Sequence, residues 1–416
     1  MAHKAKVKIG VIGGGAAGMM AAITAASEGA VVTLLEGGER VGKKILATGN
    51  GKCNLGNLNL STEDYNGASQ EWIGECLSRF NCEDTIRFFR GIGLMLKEKN
   101  GYLYPLSEQA ASVLDVLRTE LRTSGVEVIT EAKVQSVEKT EEGVFTVCSG
   151  EKTYFFDKVI LSCGSKAAPK TGSDGSGYKL AKRLGHGLIP TVPALVQLQC
   201  EERYLKEVAG VRADAQITVL PGYTDEEITE RGELQLTDYG ISGIPVFQLS
   251  RKVNYLLREL GKNGAVEVSV DLLPDYTKEE VAQLWTVRKL LQTDRTVEEF
   301  FSGMLNKKLM LLFMKQAGLK RDALITDVEE WRLQAVFDLC KDWRLHVIGS
   351  NPYENAQVCA GGVDTTQVNT TMESKLIPGL YLAGELLDVD GRCGGYNLQW
   401  AWSSGYLAGH NAALQG

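Results

Sequence analysis

Apolar residues recur along this chain in two rhythms, one of strands and one of helices. Val7, Ile9, Val11 and Ile12 form a short apolar strand, and glycines interrupt it at 13, 15 and 18. An Ala- and Met-rich helix follows and stops at Glu28-Gly29, a pair suited to a left-handed cap. Val31 to Leu35 is a second apolar strand, ending on Glu36. Residues 70–96 carry the spacing of two amphipathic helices. A third is predicted from Ser107–Gln109 to a stop at Gly125. Val126–Ile129, Ala132–Val137, Val144–Val147 and Tyr154–Phe156 alternate as a predicted β-meander inserted in the α/β layer. Lys158–Cys163, ended by Gly164, reads as a buried parallel strand.

From about Pro190 the character changes. PTVPALVQLQC, QITVLPG, GELQLTDYGISGIPVFQLS and AVEVSVDLLP read as β segments punctuated by Gly and Pro. Helical patterns follow from Lys278 to about Lys341, with Met and Phe stripes that suit a core. Gly379–Ala383 is again a buried-strand signature, and LQWAWSSGYLAGHNAAL closes the chain as a helix. The fold class expected is α/β. A Rossmann-like dinucleotide domain with a β-meander spans 1–190 and 351–416, and a mixed β/helical substrate or cap domain is inserted over 191–350.

The opening strand–turn–helix–strand gives that expectation its chemistry. Gly13 permits the tight turn, Gly15 lets backbone approach a pyrophosphate, and Gly18 lets helix and strand pack closely. The free N–H groups at the helix start favour an anion. Glu36 is placed for a ribose diol and would repel a 2′-phosphate. Residues 37–57, GGERVGKKILATGNGKCNLGN, read as a long irregular loop whose Lys43, Lys44 and Lys52 suit a polyanionic cofactor. A second Gly-rich turn, at Gly394-Gly395-Tyr396-Asn397, feeds the closing helix. Two helix starts facing one crevice suit a ligand with two electron-rich regions, as a flavin dinucleotide has and a nicotinamide does not.

Composition narrows the classes. At 416 residues with 44% apolar and 23% charged positions, the chain is an ordinary globular one of two or three domains. A formal charge of −7 argues against a nucleic-acid partner. The N-terminus lacks a signal-peptide core and no apolar run reaches the roughly 20 residues of a membrane span, so a cytoplasmic protein without a membrane partner is expected. Nine cysteines without a CxxC predict reduced, mostly buried thiols and no metal site. His346 and His410 have no metal-ligand spacing, and Asp388 and Asp390 fit a turn or a ribityl contact better than a metal.

Gly13-x-Gly15-x-x-Gly18…Glu36, TGNGKCN, LSCG, TGSDGSGYKLAKRLGH, LTDYGISG, AGGV, TMESK and GLYLAGELLDVDGRCGGYNLQWAWSSG occur in that order. Together they resemble a bacterial FAD-dependent oxidoreductase family that includes aminoacetone oxidases and bile-acid double-bond reductases, related more distantly to fumarate-reductase flavoproteins. The resemblance covers nearly the whole chain. It implies tightly but non-covalently bound FAD, with the inserted domain covering the isoalloxazine. The implied cofactor residues are Gly13, Gly15, Ala16, Ala17, Gly18, Glu36, Gly37, Lys44, Thr48, Gly49, Gly51, Lys52, Cys53, Asn54, Val134, Gly164, Gly384, Glu385, Gly395, Tyr396, Asn397 and Leu398. Lys44 and Thr48–Asn54 would lie along the flavin, Val134 beside the adenine, and Gly384, Glu385, Gly395, Tyr396 and Asn397 along ribityl and ring. One departure stands out: Thr237-Asp238-Tyr239-Gly240-Ile241-Ser242-Gly243-Ile244 replaces a family pattern with His after the Thr and Pro at the end.

The catalytic candidates are Tyr396 as a proton donor, Arg392 for a substrate carboxylate, Asp238 for substrate contact, and Cys53 as a redox thiol. Mid-chain TGSDGSG follows Pro169 rather than a strand end, so no dedicated NAD(P)H domain is expected. The leading expectation is hydride transfer between flavin N5 and a small or steroid-like molecule, first as reduction of a conjugated C=C bond with NADH or NADPH binding transiently. Amine oxidation by oxygen is the second, and a tRNA-modifying or non-catalytic flavin protein the third. Nothing in the sequence sets the oligomeric state, and a monomer is compatible with it.

Overall fold

The computed structural model describes residues 6–220 and 227–414; Pro221-Gly222 of the expected QITVLPG segment lie outside the described residues. The chain divides into two compact units, Met1–Val192 with Tyr353–Gly416, and Pro193–Pro352.

The first unit is built on a five-stranded parallel sheet in the order Leu380–Leu382, Lys158–Leu161, Lys8–Ile12, Val31–Leu35, Glu127–Ile129. The opening strand therefore sits at its centre and is buried from Ile9 to Ile12. This corrects the expected four-stranded meander. Glu127–Ile129 follows the helix Ala110–Thr123 as a crossover and pairs in parallel with Val31–Leu35, leaving Val134–Lys139, Phe145–Ser149 and Lys152–Phe156 as a three-stranded antiparallel sheet. The expected loop 37–57 is also more ordered than a loop. Lys43–Gly51 winds into 3₁₀ turns kinked at Thr48–Asn50, and Gly56–Asn57 pairs with Tyr102–Leu103.

Behind the sheet the first helix, Ala16–Ser27, lies along the closing helix, Tyr396–Leu414. A Cβ on Gly405 would stand 2.4 Å from the Ala17 carbonyl oxygen, and one on Gly409 would stand 2.3 Å from that of Ala21. The two glycines are four residues apart, as are the two alanines, so the backbones touch along one seam and the helices run parallel. Both are buried over most of their length, which explains the absence of a polar face in either sequence.

The second unit is a closed six-stranded barrel. Its order is Leu198–Cys200, Gly240–Gly243, Ile228–Leu236, Arg212–Val219, Val266–Asp271, Trp343–Ser350. One expectation fails here: IPVFQLS does not extend the β segment but opens the helix Ile244–Leu260. Pro245 occupies the first turn, where no N–H is needed, and Val246, Leu249 and Val253 carry a helical apolar stripe into the barrel core. The Met and Phe stripes pack there too, as Phe300, Phe301, Met310, Phe313 and Met314. On the last strand His346 bonds Glu202 Oε1 through its backbone N–H and through Nδ1, each at 2.8 Å.

Two outcomes follow. Gly405→Ala is expected to lower stability by about 1–3 kcal/mol in urea unfolding, because the added methyl forces the seam apart. The Glu202 carboxylate raises the His346 pKa, chiefly through its hydrogen bond. A raised folded value means that this contribution is complete below about pH 6.5 and is lost as pH rises through the folded value. Urea midpoints across that range are expected to fall with rising pH, and Glu202→Gln to flatten that part of the slope.

Candidate dinucleotide site

Three turns converge at the carboxyl edge of the parallel sheet. The first leaves Ile12 through Gly13, whose φ of +102° and whose Cβ position, 2.6 Å from the Ser162 carbonyl oxygen, both exclude a side chain. Gly18 would place a Cβ 1.9 Å from the Gly13 carbonyl oxygen, so helix and turn meet only because it is glycine. A Cβ on Gly15 would meet nothing within 4 Å. Gly15 thus opens onto space, at the start of a helix with no side-chain cap and no acidic residue in its first turn. Unfilled space before uncapped N–H groups is the environment a diphosphate requires.

Glu36 stands beside this turn. Its Oε2 accepts the Gly14 N–H at 2.8 Å and its Oε1 the Gly38 N–H at 2.7 Å, which holds the carboxylate still and leaves each oxygen a further lone pair. The backbone of Glu36 and Gly38 is bonded to that of Ala132 and Glu131, so Gly37 and the buried Val134 belong to one neighbourhood.

The second and third turns meet through an ion pair. Lys44 Nζ lies 2.6 Å from Glu385 Oε2, and the Ser165 hydroxyl donates to the same oxygen at 3.1 Å. This joins Lys44, Ser165 and Glu385 across more than 300 residues, with Gly164 the chain neighbour of Ser165. Gly384 packs on Ala17 and donates its N–H to Ser404 Oγ at 2.9 Å.

At the closing helix, Gly394 and Gly395 have φ of +121° and +93°, and a Cβ on Gly395 would stand 2.5 Å from the Gly56 carbonyl oxygen. Asn54 donates its amide to the carbonyls of Gly56 and Leu103, fixing the Thr48–Asn54 turn against the helix start. Asn397 caps the preceding loop through Gly391 and Arg392, and Leu398 is packed against the core. Tyr396 is nearly buried, its hydroxyl held by Asn57 and its carbonyl by the Tyr65 hydroxyl.

The remaining candidates separate. Cys53 is fully buried, and its thiol is pushed up to about 12 by burial. None of the nine cysteines forms a disulfide. Lys52 is exposed and paired with Glu108 at 2.9 Å. Arg392 is half-exposed, its guanidinium 3.9 Å from Asp64. Asp238 is exposed on a turn of the barrel unit, beside Tyr239, whose hydroxyl accepts from Asn351 at 3.0 Å. His410 Nδ1 lies 3.1 Å from Glu28. Sequence reasoning missed Asn57, Tyr65 and Ser165. Asn57 closes the same Asn-rich run as Asn54, whereas Tyr65 and Ser165 stand in segments with no comparable signal.

The seam between the helices turns these positions into a ruler. Ala17 is one residue into its helix and Gly405 nine into its own, so the closing helix projects eight residues, about 12 Å at 1.5 Å per residue, beyond the start of the first. Two positive helix ends point the same way, staggered by the length of an extended ligand rather than of one phosphate.

Fold and turn geometry define a protein of the Rossmann dinucleotide class. The chain belongs to the HI0933-like family: the HI0933-like protein Rossmann domain matches residues 7–411. It is 43% identical over 98% of its length, and 99% of the relative's, to a 3-dehydro-bile acid delta(4,6)-reductase of Clostridium scindens. It is 32% identical, over 97% of its length and 98% of the relative's, to a ribosomal RNA dihydrouridine synthase of Haemophilus influenzae. In fold it is similar to a 3-ketosteroid delta1-dehydrogenase from Sterolibacterium denitrificans, with a TM-score of 0.50 and 12% identity over 99% of this chain and 100% of that one. Among the described residues no helix is long and apolar enough to cross a membrane.

Gly15→Ala is expected to fold with an unchanged urea midpoint, since its methyl meets no protein atom, yet to lose FAD binding by at least tenfold in a fluorescence titration.

Proposed function

We propose that the protein is an FAD-dependent reductase of a carbon–carbon double bond conjugated to a carbonyl, acting on a small or steroid-like organic molecule with NADH or NADPH as electron source. The observation that carries this reading is the pair of staggered helix starts. One is uncapped before open space at Gly15, and the other follows Gly394 and Gly395, both at positive φ, with Gly395 packed on the Gly56 carbonyl. The residues fit FAD, whose bound ring supplies hydride chemistry at N5.

The Gly15–Ala17 N–H groups would hold the diphosphate and the fixed Glu36 carboxylate the adenosine ribose. Lys44 and Glu385, already paired, would border the ribityl chain, and the Gly395–Asn397 start would face the ring's electron-rich edge. Tyr396 is the acid within reach of that helix start. Cys53, held protonated, takes no part.

The names of two relatives support the reaction class. A bile-acid delta(4,6)-reductase and a dihydrouridine synthase both saturate a C=C bond conjugated to a carbonyl. The charge of −7 favours a small organic substrate over RNA.

Anaerobic mixing with NADH or NADPH is expected to bleach the yellow absorbance of the purified protein. A 3-oxo-Δ4 steroid is then expected to restore it faster than does unmodified ribosomal RNA. Absence of bleaching by either nucleotide contradicts the reductase, recovery only with oxygen after an amine donor points to an oxidase, and preferential recovery with the RNA replaces the substrate class.

A further inference from the structure

Asn57 sits on the short strand beside the closing helix and is 4% exposed. Its amide has one acceptor and two donors, and all are assigned. Oδ1 accepts the Asn59 N–H at 2.9 Å; Nδ2 donates to the Gly394 carbonyl at 3.2 Å and to the Tyr396 hydroxyl oxygen at 3.1 Å. The first two contacts settle which way the amide faces. The third is therefore necessarily a donation to Tyr396, and the phenol oxygen is an acceptor there.

A phenol has one proton. With Asn57 on the oxygen, that proton points elsewhere, and no hydrogen bond from it to an acceptor is formed among the described residues. The ring has little freedom to turn. Its carbonyl is tied to the Tyr65 hydroxyl at 2.9 Å, and the two rings pack in a T with centroids 6.0 Å apart at 85°. Burial pushes the phenol up from its ordinary value, and Asp64 and Tyr102 add to this, while Arg392 and the Asn57 hydrogen bond pull it back. A buried tyrosine whose proton is uncommitted, and whose oxygen is already solvated by a donor, is arranged as an acid.

We propose that Tyr396 delivers the proton in the reduction and that Asn57 is the positioning residue that orients it. This rests on the reductase reading above. Bound flavin would supply the hydride, to the carbon β to the carbonyl. The π pair takes the Tyr396 proton at the α carbon, and the phenolate regains a proton from water. The Asn57 N–H stabilises that phenolate as it forms.

Tyr396→Phe is expected to slow the half-reaction in which substrate is reduced by at least about 100-fold, far more than the half-reaction in which NADH or NADPH reduces the protein. Asn57→Leu removes the donor, so the alkaline limb of kcat is expected to move to higher pH. With 3-fluorotyrosine installed at position 396 of the full-length holoprotein, fluorine NMR is expected to show its titration rising by about one unit in Asn57→Leu, and further in Asn57→Asp, where a carboxylate replaces the donor. A merely structural Asn57 would lower stability and leave both titrations in place. Near-normal substrate reduction by Tyr396→Phe overturns the proposal, as does an unchanged fluorotyrosine titration in Asn57→Leu. If no unsaturated carbonyl compound reoxidises the wild-type protein, the reductase reading fails on its own and the proton-donor step falls with it; the NMR titration still decides whether Asn57 tunes Tyr396.

Discussion

Backbone contact between two parallel helices sets the geometry of the whole first unit. Gly405 and Gly409 lie on Ala17 and Ala21 with no room for a methyl group between them. Parallel helices place like dipole ends side by side, an arrangement that gains nothing from the dipoles themselves. It is held by packing, since both helices bury most of their residues. The useful product is at the ends. Both positive termini face the same edge of the sheet, one about 12 Å ahead of the other.

Around that frame the chain adds polar fixings rather than flexible contacts. Glu36 is held by two backbone N–H groups, Glu385 by Lys44 and Ser165, and Tyr396 by Asn57 and Tyr65. Each functional group carries a second bond that orients it. Such groups cost little reorganisation when a ligand arrives, which is how preorganised sites gain both affinity and rate. The thiols stand outside this scheme. Burial raises Cys53 and Cys163 alike.

Much of this was legible in the sequence where the physics is local. The strand–turn–helix at Gly13–Gly18 and the glycine pair before the closing helix carry their constraints within a few residues. Long-range closure was not legible. Nothing near Lys44 announces Glu385, and nothing in Val126–Ile129 says that it joins the parallel sheet rather than a meander. The helix Ile244–Leu260 was hidden because its start, GIPVFQLS, is apolar enough to pass for a strand; Pro245 in the first turn was the overlooked signal. The barrel closes through antiparallel pairs far apart in sequence, such as Leu198 with Ser350, which no local pattern encodes. The Gly-rich run at 43–51 looked like open loop because its glycines disguise successive 3₁₀ turns.

The central claim is that one ligand spans both helix starts. A crystal structure of the protein with FAD tests it most directly. A single bound molecule is expected, its diphosphate on the N–H groups at Gly15–Ala17 and the C2 carbonyl edge of its ring on those at Tyr396–Asn397. A flavin ring lying away from Gly395, or a diphosphate bound anywhere but before Gly15, would contradict it.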